Sequence, residues 1–134
     1  MKETLLTGLL LINAATATAD DAFEIISLQF KSEVSLEQQQ QAMSSLNDIV
    51  KEFSGFKSRD YFYSQENGRW IDLVVWSDIN LAKQASADVM QNPAAGAVFS
   101  LMDENSMIFS YYSRVDGIQA KLMSAPSEKA ASTQ

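Results

Sequence analysis

The chain contains no cysteine and no histidine. Without cysteine there is no disulfide, thiolate zinc site, iron–sulfur cluster or cysteine nucleophile. Without histidine the commonest metal ligand and the commonest general base near neutral pH are missing, and with them a Ser-His-Asp triad and a proximal-histidine haem. Basic residues are few: 10 Lys and Arg stand against 17 Asp and Glu, a formal charge of −7. Such a balance argues against nucleic acid, where binding depends on neutralising phosphates. The 5 glycines are scattered and form no phosphate-binding loop. No metal-ligand spacing appears among the acids, and the 6 methionines form no copper-binding pattern. Neither a metal nor a cofactor is expected from the residues. What remains is the composition of an ordinary globular domain, 46% hydrophobic and 20% charged over 134 residues.

Long apolar runs are also missing. The nearest is Leu5–Ile12, interrupted by Thr7 and Gly8, whereas a membrane span needs about 20 residues. The run follows Lys2 and precedes small residues ending Ala17-Thr18-Ala19, the pattern that signal peptidase accepts. Residues 1–19 therefore read as a signal peptide. A helix lying on the domain or in a membrane interface is the other reading. Cleavage would place residues 20–134 in the periplasm or outside the cell, with no stable membrane span after processing.

Phe23–Lys31 alternates, with Ile26, Leu28 and Phe30 on one side and Ile25, Ser27, Gln29 and Lys31 on the other, as in a strand. Ser35–Phe53 changes period: Leu36, Met43, Leu46, Ile49, Val50 and Phe53 recur at helical spacing. Ser35 with Gln38 forms a capping box, and Gly55 stands at the stop. Phe56–Ser64 and Arg69–Trp76 are strand-like runs around Asn67-Gly68, a strong hairpin signal. Ser77 or Asp78 caps a second helix, which Asn92-Pro93 ends, and Pro93 can open a further turn or two. Ser106–Val115 reads as the last strand, and residues 117–134 as a flexible tail with Ile118, Leu122 and Met123 as an apolar stub.

A two-residue Asn67-Gly68 turn sets Gln65 opposite Trp70, Tyr63 opposite Asp72, Tyr61 opposite Val74 and Arg59 opposite Trp76. One face then carries Arg59, Tyr61, Tyr63, Trp70, Asp72 and Trp76. The other carries Phe62, Ile71, Leu73 and Val75, a dry surface suited to helices. The order β-α-β-β-α-β is the ferredoxin-like α+β arrangement, a four-stranded antiparallel sheet with the helices on one face. The aromatic face is left open in a single copy, and a homodimer formed through the sheets would bury it.

The segment GFKSRDYFYSQENGRWIDLVVWSDINLAKQASADVMQNPAA resembles the antibiotic biosynthesis monooxygenase-like superfamily of dimeric α+β barrels, and its small bacterial members in particular. The likeness is carried by Gly55, Phe56, Ser58, Arg59, Asn67, Gly68, Trp70, Asp72, Trp76, Asn92 and Pro93, and it spans about residues 23–115. It implies a barrel built from two protomers over residues 20–116, with pockets between sheet and helices or inside the barrel. It also implies a range of roles, from cofactor-free oxidation of polycyclic phenols with O₂ to haem degradation and signal binding. Relatives of this kind start their first strand near the initiator, so a strand delayed to Phe23 again sets residues 1–22 apart. Tyr111 and Tyr112 stand where many relatives carry a histidine, and the haem branch's usual histidine ligand has no counterpart.

Trp70 and Trp76 are either core or interface, or the wall of a pocket for a flat aromatic ligand. Arg59, opposite Trp76, either stacks on that indole as a cation–π pair or lies in solvent or an interface. Asp72, embedded in WIDLVVW, needs a partner if buried. It either accepts from Tyr63 or pairs with Arg59, or it is a carboxylate of raised pKa that removes a proton from a phenol or quinol. In the second role the resulting anion gives an electron to O₂, with Tyr63 and Tyr111 bonding the substrate oxygens and Tyr61 beside them. Two functions follow. One is an exported small-molecule-binding barrel with or without cofactor-free oxygenase activity. The other is a non-catalytic dimeric structural or partner-binding module. A pocket of about 300 Å³ or more beside Asp72 favours the first.

Overall fold

The computed structural model describes residues 20–122; the signal-peptide reading of 1–19 and the end of the expected tail, 123–134, lie outside them. Four strands, β1 (Ala22–Leu28), β2 (Phe56–Tyr63), β3 (Trp70–Trp76) and β4 (Ile108–Ser113), form one antiparallel sheet in the order β2-β3-β1-β4. Helices α1 (Leu36–Ser45), α2 (Asn47–Val50), α3 (Ile79–Val89) and α4 (Pro93–Phe99) connect them, and a 3₁₀ turn at Glu104–Ser106 precedes β4. This is the expected ferredoxin-like α+β fold.

Local signals set most of the boundaries. Ser35 Oγ accepts from Gln38 N at 3.2 Å while Gln38 Oε1 accepts from Ser35 N at 2.9 Å, so two orphan donors of the first turn are satisfied reciprocally. Asp78, rather than Ser77, caps α3 by accepting from Leu81 N. Asn92 caps α4 through Ala94 N and Ala95 N, with Pro93 in the first position. Gly55 has φ 84°, and a Cβ there would sit 2.7 Å from Leu81 Cδ1. Both its conformation and its space require glycine.

Three expectations about length change. The helix expected over 35–53 breaks at Leu46. Arg59 Nη1 takes the Met43 carbonyl at 2.8 Å and Ser45 Oγ takes that of Ala42 at 2.7 Å. These side-chain donors compete for carbonyls that would carry the ladder through the break. β1 ends at Leu28, not Lys31, because Ser106 Oγ takes Gln29 N at 2.8 Å in place of a strand partner. The last strand is shorter than expected for the same reason, since Glu104–Ser106 is the 3₁₀ turn.

The hairpin register also differs. Of the two turn residues Gly68 alone has positive φ, so Asn67-Gly68 is not a two-residue type I′ turn. Residues 65–68 form the loop, closed by Ser64 N to Arg69 O at 2.8 Å, while Asn67 Oδ1 accepts from Arg69 N. The pairing moves by two: Tyr63 opposes Trp70, Tyr61 opposes Asp72 and Arg59 opposes Val74. An even shift leaves every side chain on its original face, so the grouping of Arg59, Tyr61, Tyr63, Trp70, Asp72 and Trp76 holds.

The helices, however, cover that aromatic face and not the opposite one. Trp70 packs with Met43, Leu46, Ala95 and Val98, and Trp76 with Ala82 and Ala85. Trp70 and Trp76 are 4% and 2% exposed beneath the helices, and Asp72 and the Trp70 N–H find partners within the fold, Arg59 and Gln39. The open face holds Phe62, Ile71, Ile108 and Tyr112, all exposed.

Candidate functional site

The helix-facing surface of the sheet divides into two ends. At one, Trp70 is enclosed by Phe30, Tyr61 and Tyr63, whose ring centroids lie 6.4, 6.2 and 4.9 Å away. Its Nε1 donates to Gln39 Oε1 at 3.0 Å. At the other end a cavity of about 410 Å³ opens between the sheet and the helices. Its polar wall is Glu24, Asp72, Ser86 and the indole of Trp76; Leu46, Val50, Phe53, Val89 and Phe99 form much of its apolar wall. Met90, Met107 and Phe109 also line it and are exposed, so they mark its mouth.

Arg59 holds the polar wall in place. Its Nε donates to Asp72 Oδ1 at 3.0 Å and its Nη2 to Oδ2 at 2.9 Å. Nη1 is shared between Met43 O and Asn47 Oδ1, the latter at 2.6 Å. The guanidinium carbon lies 4.5 Å from the centroid of the Tyr61 ring, a cation–π contact made with Tyr61 and not with Trp76. Both charged side chains are buried, 2% and 8% exposed. Burial pushes the Asp72 carboxyl up, and the hydrogen bonds and charge of Arg59 oppose it. Of the roles open to Asp72, pairing with Arg59 is the geometry present; the residue across the strand is Tyr61 rather than Tyr63.

Glu24 lies diagonally from Asp72 on β1, opposite Val74 on one side and Tyr111 on the other. It is buried and has no ion pair of its own among the described residues. Burial, reinforced by the Asp72 charge, raises its carboxyl to about 7, against the weaker pull of Ser86, Trp76 and Arg59. Ser86 Oγ donates to Glu24 Oε2 at 3.3 Å and lies 2.5 Å from Tyr111 Oη. Trp76 is 2% exposed, and its Nε1 is buried without a well-formed hydrogen bond, although it is near enough to Glu24 to favour the charged carboxylate.

The sequence-derived candidates therefore separate. Asp72 and Trp76 line the cavity, Arg59 supports Asp72, and Tyr61 stacks on Arg59. Tyr63 and Trp70 belong to the filled end. Tyr111 reaches the site through Ser86. Glu24 and Ser86 were not among the candidates. The signal for each was a matter of spacing: Glu24 shares the parity of Ile26, Leu28 and Phe30, and Ser86 lies on the Ala82, Ala85 and Val89 stripe. A polar residue in line with an apolar stripe is the mark of a buried polar site.

No protein-family model matches the chain. No curated protein matches it. Solved structures do: the chain has the fold of the antibiotic biosynthesis monooxygenase-like proteins. SnoaB from Streptomyces nogalater, a cofactor-independent oxygenase, is similar with a TM-score of 0.64 at 13% identity, over 76% of this chain and 100% of that one. A provisionally assigned antibiotic biosynthesis monooxygenase from Bordetella bronchiseptica is similar at 0.60 and 15% identity, over 72% of this chain and 98% of that one. A conserved protein from Methanosarcina mazei is similar at 0.57 and 15% identity, over 72% and 95%. At these identities the likeness carries the fold.

Proposed function

We propose that the protein is an exported homodimer that binds an aromatic phenol or quinol in the cavity beside Asp72 and oxidises it with O₂, without a metal or an organic cofactor. One observation carries this reading: a cavity of about 410 Å³, apolar over most of its lining, has a single wall with two carboxylates, a hydroxyl and an indole N–H without a well-formed hydrogen bond. That volume exceeds the roughly 300 Å³ expected of a small-molecule site. A flat apolar ring fits between Val50, Phe53 and Phe99, and its hydroxyl oxygen meets the polar wall. There it donates to a carboxylate and accepts from Trp76 Nε1. The fold shared with SnoaB, a cofactor-independent oxygenase, supports the reaction class.

The chemistry balances without an added reductant. A wall carboxylate takes the hydroxyl proton, and the phenolate gives one electron to O₂. The phenoxyl radical and superoxide then combine at a ring carbon that carries hydrogen. The peroxide takes up a proton from the wall, its O–O bond breaks as the ring C–H bond gives up its proton to the departing hydroxide, and a carbonyl and water form. Phenol plus O₂ thus gives quinone plus water, all four electrons coming from the substrate. Buried hydrogen-bond donors stabilise the developing anion.

The second copy belongs on the open sheet face, where Phe62, Ile71, Ile108 and Tyr112 are exposed on one surface. The export reading rests on residues 1–19 alone, and N-terminal sequencing of protein from its native host tests it: Asp20 is expected as the first residue. For the activity, thermal-shift screening of phenols and quinols comes first, then O₂ uptake with each compound that stabilises the protein. Uptake of one O₂ per substrate, reduced in Asp72→Asn, is expected. If no stabilising compound supports uptake above the protein-free rate, the oxygenase reading falls and a binding module remains. Sedimentation of a monomer at micromolar concentration would remove the dimer.

A further inference from the structure

The buried polar wall of the cavity holds two acids, Glu24 and Asp72, with Arg59 behind them, while a third acid of the lining, Glu104, is exposed at the 3₁₀ turn. Arg59 satisfies Asp72 on both carboxylate oxygens, and Asp72 lies buried with it. Glu24 is the acid left over: it lines the same cavity and is bonded by a hydroxyl, not a cation. That hydroxyl, Ser86 on α3, contacts the phenol of Tyr111 on β4, which is half-buried. A continuous path Glu24–Ser86–Tyr111 thus runs from the cavity wall toward the edge strand of the sheet. Ser86 has a single proton, so when it donates to Glu24 the Tyr111 hydroxyl donates to Ser86. If Glu24 gains a proton, both bonds can reverse direction, and the proton leaves at Tyr111 without any side chain moving. The charged and titratable groups around Glu24 are Asp72 and Arg59 across the sheet, Tyr111 beside it and Glu104 on the 3₁₀ turn lining the cavity.

We infer that Glu24 is the group that accepts the proton of a hydroxyl ligand in the cavity, and that Ser86 and Tyr111 exchange that proton with solvent, while the Arg59–Asp72 pair stays fixed as the wall. The bond broken is the ligand O–H, the bond formed is a carboxyl O–H on Glu24, and the ligand remains as its anion. This deepens the oxygenase reading and rests on it. Burial supports the assignment from a second side, since it raises the Glu24 carboxyl to about 7, and a proton acceptor works best near the ambient pH.

Kinetics and a titration test the inference separately from the oxygenase reading. In Glu24→Gln, kcat is expected to fall about 100-fold or more, with KM little changed and the acidic limb of the wild-type pH profile lost. Ser86→Ala and Tyr111→Phe should lower kcat with KM unchanged, and added small buffers such as imidazole should restore part of the rate. A merely structural role would not respond to buffer. Independently of any substrate, carbon-13 labelling of the glutamate carboxyls should show a resonance titrating near 7 that is absent from Glu24→Gln and shifted in Ser86→Ala. An ordinary carboxylate midpoint for Glu24, or a wild-type pH profile in an active Glu24→Gln, overturns the inference. If the wild-type protein consumes no O₂ while the Glu24 resonance titrates near 7, the oxygenase reading fails and Glu24 stands as the site's proton-exchanging group. Folding of each variant is checked by its near-ultraviolet circular dichroism.

Discussion

Trp70 and Trp76 stand on one strand and on one face of the sheet, yet their surroundings are built in opposite ways. Trp70 is wedged among three aromatic rings and its N–H is bonded to Gln39. Among the described residues Trp76 has one ring neighbour, Phe56, with centroids 6.0 Å apart. Its helix partners are the small Ala82 and Ala85, and its N–H has no well-formed bond. Large residues fill the first end; small ones on α3 leave space at the second, and the space collects the buried charges. Two identical side chains thus serve as packing and as a pocket wall, according to what the facing helix offers.

The largest expected effect breaks this contrast if it fails. Trp70→Ala should destabilise the fold by about 3–5 kcal/mol in urea unfolding, because the enclosing rings cannot collapse into the void. Trp76→Ala should cost clearly less, since it extends a cavity already present, and should lose more ligand affinity. Equal losses for the two would show that the ends are packed alike.

Next comes the ion pair that bounds the pocket. Arg59→Met leaves Asp72 buried without its cation, a loss of roughly 3–5 kcal/mol. Adding Asp72→Leu should recover most of it, because a well-packed apolar pair replaces a buried ion pair with little penalty. A double-mutant cycle measures the coupling. If the second substitution adds to the loss, the pair is contributing more than mutual compensation.

The pH dependence sharpens the comparison further, because Glu24 lines the cavity at the Trp76 end. Glu24 is raised from 4.5 to about 7, so the folded state holds a proton that the unfolded chain has released. Stability from this group is full below pH 4.5 and falls as the pH rises through the window from 4.5 to 7, levelling beyond it. The total is on the order of 3 kcal/mol. Glu24→Gln should be more stable than wild type at pH 8 and nearly equal to it at pH 4. The difference between the two proteins across that range is the measurement, and a constant difference would remove the raised carboxyl.

Much of this architecture could be read along the chain because its signals are local. The Ser35–Gln38 box, the Asp78 cap, Asn92-Pro93 and Gly55 each act within a few residues, and each stands where the spacing put it. The choice of which face the helices cover was not local. Both faces of WIDLVVW are apolar enough to be buried. The deciding contacts join Trp70 to Gln39, 31 residues away, and Asp72 to Arg59, 13 residues away, with Arg59 in turn bonded to α1. The hairpin register slipped because Asn67 uses its side chain, rather than a left-handed backbone, to turn the chain. Asp72 and Trp76 announced themselves as unusual neighbours in an apolar strand. Glu24 and Ser86 did not, because each is one polar residue in an element otherwise well explained as strand or helix.

The smallest effect tests the two ends with the same substitution. Ala85 on α3 and Ala95 on α4 are both buried, at 3% and 0% exposure. Ala85 lines the cavity, whereas Ala95 packs in the Trp70 cluster. Ala95→Leu forces three extra carbons into a filled core and should cost about 1–3 kcal/mol. Ala85→Leu has the cavity to enter, so its added apolar burial offsets any strain, and the net change should stay within about 0.5 kcal/mol of wild type. The same side chain should displace any ligand that Trp76 helps to bind, leaving a protein with native stability and no thermal shift. Were Ala85→Leu as damaging as Ala95→Leu, the space beside Trp76 would be too rigid or too small to admit a ring, and the pocket would have to be sought elsewhere.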